Sequence, residues 1–367
     1  MNPISSLPQI VVQSAQTCGF HLAGIAPVLQ SEPNRAGEGS FEGRAVPELS
    51  YLPQWVAEGR CGEMGYLKRR DADGRLLRSS VSIPFPWARS VVVCAVNYNS
   101  ARPYSIDAAP AGSGWIARYA WSGNGPDVGA DSCSTEEQIA TDYHSVILKR
   151  LEHLREKLQA ILGDFDARCF VDTGPLVERV YAKYAGLGWQ GKNTCLIHES
   201  LGSWLFLGVI LTSLEFPAEQ WTQPVPDRCG SCTRCIDACP TDALEPYRMD
   251  ASRCIAYLTI EKRGAIPEEL AAKTGRNVFG CDICQEVCPW NNKGGRGTPV
   301  TDWPELQPRG ELVNPALDWL AGLDEQDFRA KFGGSPVERT KYAGWKRNVA
   351  MARSNSAEQV GPPAVPA

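Results

Sequence analysis

The sequence lacks the features of a membrane or exported protein. No apolar run approaches the roughly 20 residues that a transmembrane helix needs. Residues 1–8 have neither the positive n-region nor the apolar h-region of a secretory signal. The formal net charge is −5, so no chain-wide positive excess attracts nucleic acid or an anionic membrane. These absences predict a soluble protein.

A disulfide framework is also missing, although the chain has 14 cysteines. Six of them lie outside the cysteine motif described next, and their irregular spacing argues against paired thiols. They are Cys18, Cys61, Cys94, Cys133, Cys169 and Cys195. Reduced thiols fit a bacterial-type cytoplasm, which is the predicted location. With 367 residues, 43% of them hydrophobic, the chain is long enough for two or three domains with buried cores.

The other eight cysteines form two runs that are typical of iron–sulfur proteins. The first run reads C-x2-C-x2-C-x3-C-P, the bacterial ferredoxin motif for a [4Fe–4S] cluster. In two-cluster proteins the fourth cysteine of such a run ligates the other cluster. This rule predicts two ligand sets. The first set is Cys229, Cys232, Cys235 and Cys288, and the second is Cys239, Cys254, Cys281 and Cys284.

Structural zinc is the alternative explanation of these cysteines. Zinc usually takes two well-separated cysteine pairs, and three cysteines at successive x2 intervals fit that arrangement badly. One departure from a plain ferredoxin is Cys254, which has 26 residues between it and Cys281. That insertion is too long for a simple electron carrier.

Helices and strands alternate over residues 1 to about 215, which predicts one α/β domain. Apolar periodicity, short apolar runs and a capping box at Ser134–Glu137 set the predicted boundaries. The predicted helices are residues 11–19, 134–163 and 175–185, and the predicted strands are residues 20–26, 90–96, 168–171 and 204–211. Residues 31–50 are predicted to be an exposed loop, and residues 217–226, with three prolines, a linker.

Residues 186–193 satisfy G-x-G-x-x-G and nearly satisfy G-x4-G-K-[ST], which are two nucleotide-binding motifs. Both fail in context, because a helix precedes the glycines where a strand is required and Asn193 replaces the hydroxyl residue. Three glycines still let the backbone approach a bulky ligand, and Lys192 and Asn193 can donate to it. A helix C-cap followed by an ordinary loop explains the same residues.

Asp172 lies between a predicted strand and the next helix, at the edge that faces the ligand crevice in α/β folds. A carboxyl group there acts as a general acid if burial raises its pKa. A turn or N-cap aspartate is the commoner explanation of such a position.

The C-terminal part is predicted to be helical over residues 312–330 and 335–353, with a disordered tail from residue 354. Residues 328–353 carry seven basic residues and one acid. In a chain of negative net charge this basic block is a candidate for phosphate contacts. A solvated helix face is the alternative.

Motifs spread over most of residues 10–353 make the chain resemble epoxyqueuosine reductases, which are cobalamin-dependent, two-cluster enzymes that complete queuosine in tRNA. The cysteine runs are specific by themselves, and the other motifs are specific only together. These are Gly62–Leu67 with Arg69-Arg70, Ile116–Ala120, Asp142-Tyr-His144, Val171–Pro175, Glu178-Arg179, Ala185–Thr194, Gly202-Ser-Trp, Cys254–Glu261, Phe279–Asp282, Cys288–Asn291, Ser335–Lys341 and Arg347-Asn348.

The resemblance implies a fold of class α/β (α+β) in three parts. Residues 1–215 would form a nitroreductase-like cobalamin-binding domain, residues 216–300 a ferredoxin-like domain with two [4Fe–4S] clusters, and residues 301–367 a helical HEAT-like segment that contacts tRNA. Asp172 becomes the expected general acid. The further expected cofactor contacts are Arg70, His144, Arg179, Lys192, Asn193, Thr194, Cys195, Ser203, Thr259, Glu261 and Asp282, and the expected tRNA contacts are Arg339, Lys341, Lys346 and Arg347.

The implied reaction is a two-electron reduction of an epoxide to an alkene with release of water. An external electron donor feeds the clusters, the clusters feed cobalt, and Asp172 supplies a proton. A reductive dehalogenase is the alternative, but such enzymes typically carry a twin-arginine export signal, which residues 1–20 lack. A non-catalytic electron carrier would explain the clusters and leave Asp172 and the glycine loop unexplained. A monomer is expected.

The chain departs from the family at residues 31–50, at residues 122–138 and in its short C-terminus. These departures leave the extent of the tRNA surface open. Ala256 stands where the family often has serine, so a contact from that hydroxyl is absent.

Overall fold

A four-stranded antiparallel sheet organises the first 215 residues. The computed structural model describes residues 6–30, 44–101, 103–124, 139–140, 142–292 and 297–358. The sheet has the spatial order β1-β2-β4-β3, and its strands are β1 (Leu22–Pro27), β2 (Ser90–Asn97), β3 (Ala167–Phe170) and β4 (Leu205–Thr212). Strand β2 is buried along its whole length, as its continuous apolar run predicts. The mixed α/β fold is confirmed, and all the strand pairs of this sheet are antiparallel.

Helices cover both faces of this sheet. On one face, α1 (Leu7–Thr17) and α3 (Tyr143–Leu162) bury apolar stripes of helical period against the strands. On the other face, α4 (Glu178–Tyr184) and the start of α2 (Glu48–Ala57) pack on the sheet. The described helices of this part therefore enclose β2 between two apolar layers.

Four local predictions for this part are wrong, and the first is helix α1, which was expected over residues 11–19 and runs over Leu7–Thr17. Helix α3 begins at Tyr143, where the Asp142 side chain accepts from the backbone N–H of His144. Residues 139–140 instead form a short strand, and the predicted capping box at 134–137 lies outside the described residues. Residues 44–50 contain a two-residue strand and the start of α2 in place of an exposed loop, and residues 31–43 lie outside the described ranges. Helix α4 begins three residues after Pro175, at Glu178.

The cysteine-rich part consists of short elements. Its helices are α5 (Arg234–Asp237), α6 (Ile255–Ile260), α7 (Glu268–Ala271) and α8 (Ile283–Glu286). The other described strands are two or three residues long and form two-stranded pairs in several parts of the chain. The pairs are Leu29–Gln30 with Arg44–Ala45, Trp115–Ile116 with Asn277–Phe279, Gly123–Asn124 with Ile139–Ala140, Trp189–Gln190 with Leu196–Ile197, and Leu244–Glu245 with Arg248–Met249. The pair that joins residues 115–116 to residues 277–279 ties the cysteine-rich part to the first 215 residues.

The C-terminal helices are confirmed, with different boundaries. The predicted helix 312–330 is two helices, α9 (Leu317–Gly322) and α10 (Glu325–Phe332), because Asp324 starts a new helix as its N-cap. Helix α11 runs over Lys341–Glu358. The predicted disorder from residue 354 is wrong as far as residue 358, since Asn355 is buried and donates to the carbonyl of Ala271.

One apolar core crosses the predicted domain boundaries. Trp345 of α11 packs in the same buried cluster as Trp115 and Phe279. The division at residues 215 and 300 therefore stays a prediction. Within the described ranges, no helix is both long enough and apolar enough to cross a lipid bilayer.

Candidate active site

A cavity of about 610 Å³ opens beside the sheet. Its walls come from α2, from the turn after β3, from the start of α4, from strand β4 and from the short hairpin at residues 244–249. Aromatic and arginine side chains are frequent in the lining, and of its four acidic residues Asp172 and Glu178 are neighbours. The lining includes Tyr51, Trp55, Arg60, Arg78, Tyr98, Tyr119, Tyr143, Asp172, Glu178, Arg179, Thr194, Phe206, Tyr247 and Arg248. A large ligand with both apolar and anionic parts fits such walls.

Asp172 stands in a tight, strained turn on the cavity wall. The backbone N–H of Thr173 donates to the carbonyl of Val171 at 2.6 Å, which closes a three-residue γ-turn. Asp172 at its centre has φ 58°, in the left-handed region that non-glycine residues rarely adopt. Its side chain is 72% exposed, because it faces the open cavity. Strained backbone of this kind is concentrated at functional sites.

His144 is the charge partner of Asp172. Its Nδ1 lies 2.6 Å from Asp142 Oδ1, and its Nε2 lies 3.8 Å from Asp172 Oδ2. Burial alone would lower the pKa of His144, but the two carboxylates outweigh burial and raise the pKa to about 9. Conversely, the contact with His144 outweighs burial and lowers the pKa of Asp172. At neutral pH the pair is therefore an imidazolium beside a carboxylate.

The sequence-based interpretation of Asp172 concerned its position at a cavity and its pKa, and the structure bears on both. Asp172 does line a cavity, as predicted. The rule for open parallel sheets does not explain its position, however, because β3 is an antiparallel edge strand. Burial does not raise the pKa of Asp172, which was the stated condition for a general acid, because the contact with His144 outweighs burial and lowers that pKa.

Tyr143 and Glu178 complete the surroundings of Asp172. The hydroxyl of Tyr143 donates to Asp172 Oδ2 at 3.4 Å, and its ring stacks on Phe206 at 4.0 Å between centroids. Glu178 Oε1 accepts the backbone N–H of Asp172 at 2.9 Å. Burial, and then the charge of Asp172, raise the pKa of Glu178 to about 8. The sequence indicates Glu178 only as part of a motif, and its place six residues after Asp172, across a turn, is the one signal of this contact.

A second, smaller cavity of about 300 Å³ is lined by thiols. Its walls include Cys229, Cys232, Cys235 and Cys288, which is the first predicted ligand set. Among the described residues no three His, Cys, Asp or Glu side chains are arranged around a single metal ion. Four thiols around a cavity of this size fit a [4Fe–4S] cube.

The second ligand set also comes together. A hydrogen bond with Cys195 and then burial raise the pKa of Cys284, burial raises the pKa of Cys281, and the nearby charge of Cys254 adds to both. Burial likewise raises the pKa of Cys254, and the charge of Cys239 adds to it. Cys195 is thus a ninth thiol beside this set, and its role as a cofactor contact stays a prediction.

The glycine loop separates the two cavities. Thr194, with φ 65°, lines the larger cavity, whereas its neighbour Asn193 lines the smaller one and donates to the carbonyl of Cys284. Lys192 also lines the smaller cavity, and its Nζ donates to the carbonyls of Gly230 and Cys232. Lys192 and Asn193 thus support the thiol-bearing loops, and their expected contact with the corrin stays a prediction. Thr194 stays a predicted corrin contact.

Four other expected cofactor contacts have structural roles. Ser203 is buried and bonds to Gln285, and Thr259 is buried and accepts the N–H of Gly280. Asp282 is buried and accepts from Trp115 Nε1 and from the N–H of Arg118. Arg70 is exposed and donates to the carbonyl of Gly74, outside the cavity lining.

Two further expected cofactor contacts remain near the larger cavity. Arg179 lines it and donates to the Thr194 carbonyl at 3.0 Å. Glu261 is not part of the lining, and its carboxylate pairs with Arg339 at 2.6 Å. Arg179 therefore stays a predicted corrin contact, whereas Glu261 belongs with the basic residues of the C-terminal part.

The expected tRNA residues divide into two groups. Arg347 commits its guanidinium to the carbonyls of Leu258, Lys262 and Gly264 and to the side chain of Asn348, and its expected phosphate contact stays a prediction. Lys341 and Lys346 are exposed, and Lys346 makes only a long contact with the Ala321 carbonyl.

Arg339 lies between the C-terminal helices and the larger cavity. Its guanidinium lies over the ring of Tyr66, in addition to its ion pair with Glu261. That ion pair raises the pKa of Arg339, and the more distant charge of Asp172 adds to the rise. Arg78, which lines the larger cavity, lies over the same Tyr66 ring, so Arg339 is close to that cavity.

Comparisons with known proteins agree with this geometry. A family model described as "4Fe-4S double cluster binding domain" matches residues 228–291, and one described as "Epoxyqueuosine reductase QueG, DUF1730" matches residues 78–173. The epoxyqueuosine reductase of Xanthomonas campestris is 38% identical over 310 residues, which are 84% of this chain and 79% of that protein. The epoxyqueuosine reductase of Gloeobacter violaceus is 38% identical over 354 residues, 94% of this chain and 95% of the relative.

Solved structures give the same result. An epoxyqueuosine reductase with an epoxyqueuosine-modified tRNA-Tyr stem loop superposes with a TM-score of 0.74 at 26% identity, over 94% of this chain and 80% of that one. The enzyme from Streptococcus thermophilus superposes with a TM-score of 0.73 at 26% identity, over 95% and 81% of the two chains. The shared cysteine domain, the shared fold and the identity over most of the chain show that this protein belongs to the epoxyqueuosine reductase family.

Proposed function

We propose that this oxidoreductase reduces epoxyqueuosine to queuosine at the wobble position of tRNA in the cytoplasm. The observation that carries the proposal is the Asp172–His144 pair in a cavity that shares a wall with the thiol-lined cavity. Membership of the family and the tRNA stem loop held by a solved relative support the choice of substrate. The external electron donor and the monomeric state remain predictions.

The residues present fit the cofactors that the family implies. Two sets of four thiols fit two [4Fe–4S] clusters, and the larger cavity, with aromatic walls and arginines, fits part of a corrinoid with its anionic tail. Thr194 and Arg179, together with Tyr98 and Tyr119, would hold the corrinoid. When bound, cobalamin would supply a strongly reducing cobalt, with electrons from the clusters.

The protein's own contribution is to supply protons. Conversion of an epoxide to an alkene and water takes two electrons and two protons, and the first proton must reach the oxygen as the ring opens. His144 holds a proton at neutral pH, and Asp142 fixes its ring through Nδ1. The first proton moves from His144 Nε2 by way of the Asp172 carboxyl group to the substrate oxygen, and His144, protonated again from the solvent that reaches the cavity, supplies the second proton by the same route. Tyr143 keeps that carboxyl group oriented.

A solved relative supports the choice of the Asp172 turn as a catalytic element. The Bacillus subtilis enzyme, 25% identical with a TM-score of 0.72, has its aspartate-bearing catalytic loop swung out of the active site. A strained turn at an exposed cavity wall is an element that can move in this way.

For tRNA binding we retain three of the four predicted residues. Lys341 and Lys346 are exposed, and Arg339 forms an exposed ion pair of the kind that contributes little by itself and leaves the guanidinium able to engage a phosphate. Because Arg339 lies near the larger cavity, a nucleic acid held there would lie beside it.

The test is to load the protein with iron, sulfide and cobalamin under a reductant, add tRNA that carries epoxyqueuosine, and analyse the nucleosides. We expect queuosine to form in proportion to enzyme turnover. Protein that holds both clusters and cobalamin yet forms no queuosine would refute the proposal. Unmodified tRNA serves as the control substrate.

A further inference from the structure

The turn that carries Asp172 is held by the side chain of Glu178, which takes no part in the proposed proton transfer. Asp172 has φ 58° within a γ-turn, a conformation that the chain adopts only when its surroundings enforce it. The backbone N–H of Asp172 would be unpaired in that turn without Glu178, whose Oε1 accepts it at 2.9 Å. Glu178 therefore satisfies the one backbone donor of the residue on which the proposed proton transfer depends.

Glu178 is itself fixed by a rigid helix. It is the first residue of α4, and Tyr181 and Ala182 in the same helix are buried in the core against the sheet. The opposite side of the turn packs closely as well, because a Cβ at Gly174 would lie 2.5 Å from a Leu176 methyl group. Tyr143 and His144 contact the Asp172 side chain, whereas Glu178 is the residue that holds the backbone N–H of the turn.

We propose that Glu178 is a positioning residue that latches the Asp172 turn, so that the Asp172 carboxylate faces both His144 and the cavity. This inference rests on the proposed function, since it assigns to Glu178 the task of holding the proton-transfer residue. Release of the latch lets the turn relax out of the left-handed region, which carries Asp172 away from His144.

The charges around Glu178 give the latch a pH dependence. Asp172 faces it from the turn, Arg78 from the segment before β2, and Arg179 from α4. Burial and the charge of Asp172 raise the pKa of Glu178 to about 8, so the latch is neutral at pH 7. As the pH rises through that value, Glu178 becomes a second carboxylate beside Asp172, and the repulsion between the two carboxylates then opposes the hydrogen bond from the Asp172 N–H to Glu178.

Turnover of the fully loaded enzyme is the first test. Glu178→Ala removes the acceptor, and we expect kcat to fall between about tenfold and 100-fold with KM for tRNA little changed, as for a misplaced catalytic group. Glu178→Gln keeps an oxygen acceptor, so it should retain most of the activity. Glu152→Ala, on the exposed face of α3, is the matched control. In an Asp172→Asn background, Glu178→Ala should have no further effect, because Glu178 acts through Asp172.

Titration of His144 by NMR is the second test, and it does not depend on activity. The chain has four histidines, so their ring signals can be assigned individually. If the latch holds Asp172 beside His144, Glu178→Ala should lower the pKa of His144 by about one unit, as Asp172→Asn should. Glu178→Gln should leave that pKa unchanged.

The outcomes separate this inference from the proposed function. If the unmodified enzyme makes no queuosine, the proposed function fails, whatever Glu178 does. If it makes queuosine and Glu178→Ala keeps both full kcat and the His144 titration, the latch is wrong and the function stands. Equal losses in Glu178→Ala and Glu178→Gln, or losses that multiply in the Asp172→Asn background, would also overturn the latch.

Discussion

The two cavities differ in how the chain builds them. The smaller cavity takes most of its walls from two short segments, residues 228–235 and 288–290, whose cysteine spacing is a known motif. The larger cavity draws its walls from residues as distant as Tyr51, Asp172 and Arg248. A site built from neighbouring residues can be predicted from their spacing in the sequence, whereas a site assembled from distant segments depends on the fold. Substitutions should therefore affect the two cavities separately.

The largest effect is expected in the smaller cavity. Cys288→Ala removes the one ligand of the first set that comes from the distant run, so bound iron should fall by about half and turnover should cease. Iron analysis together with electron paramagnetic resonance of the reduced protein measures this. Cys18→Ala, which lies on another part of the molecule, should keep both clusters. Full iron content in Cys288→Ala would contradict the assignment of the two ligand sets.

The next largest effect is expected in the larger cavity. Asp172→Asn keeps the shape of the turn but cannot pass on a proton, so kcat should fall by about 10² to 10⁴-fold. Iron content and cobalamin absorbance should be unchanged, because no thiol is touched. Asp166→Asn, just before β3, is the matched control. Near-normal turnover by Asp172→Asn would remove the acid role.

An alkaline loss of activity should come from His144. Its pKa is raised to about 9, so the protonated fraction, and with it the rate, falls about tenfold for each pH unit above that value. The stabilisation from its two carboxylate contacts is likewise present at lower pH and disappears as the pH rises through about 9. The profile of kcat against pH in Glu178→Gln isolates this loss from the titration of Glu178. Asp142→Asn removes the partner of Nδ1 and should move the loss to lower pH; a profile that does not move would count against His144.

Two substitutions at the wall between the cavities, at Lys192 and at Arg179, test whether the two cavities can be affected separately. Lys192→Ala removes the donor to the carbonyls of Gly230 and Cys232, so it should weaken cluster retention, by about tenfold if it behaves as a supporting contact to metal ligands does. Arg179→Ala should weaken cobalamin binding and leave the iron content alone. Iron-release rates and cobalamin titration measure the two effects. If both substitutions lowered cobalamin affinity equally, the division of the wall would be wrong.

The smallest effect is expected on tRNA affinity. Replacing Lys341 and Lys346 with glutamate removes two exposed positive charges, so the slope of log affinity against log salt should become shallower by about one for each phosphate that the protein no longer neutralises. Binding of labelled tRNA at several salt concentrations measures this. Arg347→Ala should instead lower thermal stability, because Arg347 holds three backbone carbonyls. Unchanged tRNA affinity in the double variant would exclude this surface.

Sequence alone is sufficient wherever neighbours along the chain determine the structure. The buried strand β2, the end of α3 before Gly163 and the first cysteine set follow from runs, caps and spacing. The charge state of Asp172 could not be predicted, because its pKa depends on the distance to His144, 28 residues earlier.

The cavity that Lys192 lines could not be predicted for a similar reason. Its loop has a different cavity on each side, and only the backbone path decides which side chain faces which one. Glycines at fixed spacing indicate a close approach of the backbone to some ligand, and they do not indicate on which side that ligand lies.

The backbone between the two cavities limits how the protein can be redesigned for another substrate. Asn193 and Thr194 are adjacent in the chain yet face different chambers, so the partition at this point is a single thickness of backbone. A one-residue insertion or deletion there would exchange the two faces and disturb both chambers together. An engineer who wants a different substrate should therefore vary the far rim, at Tyr51 or Arg248, and leave this dividing segment at its natural length.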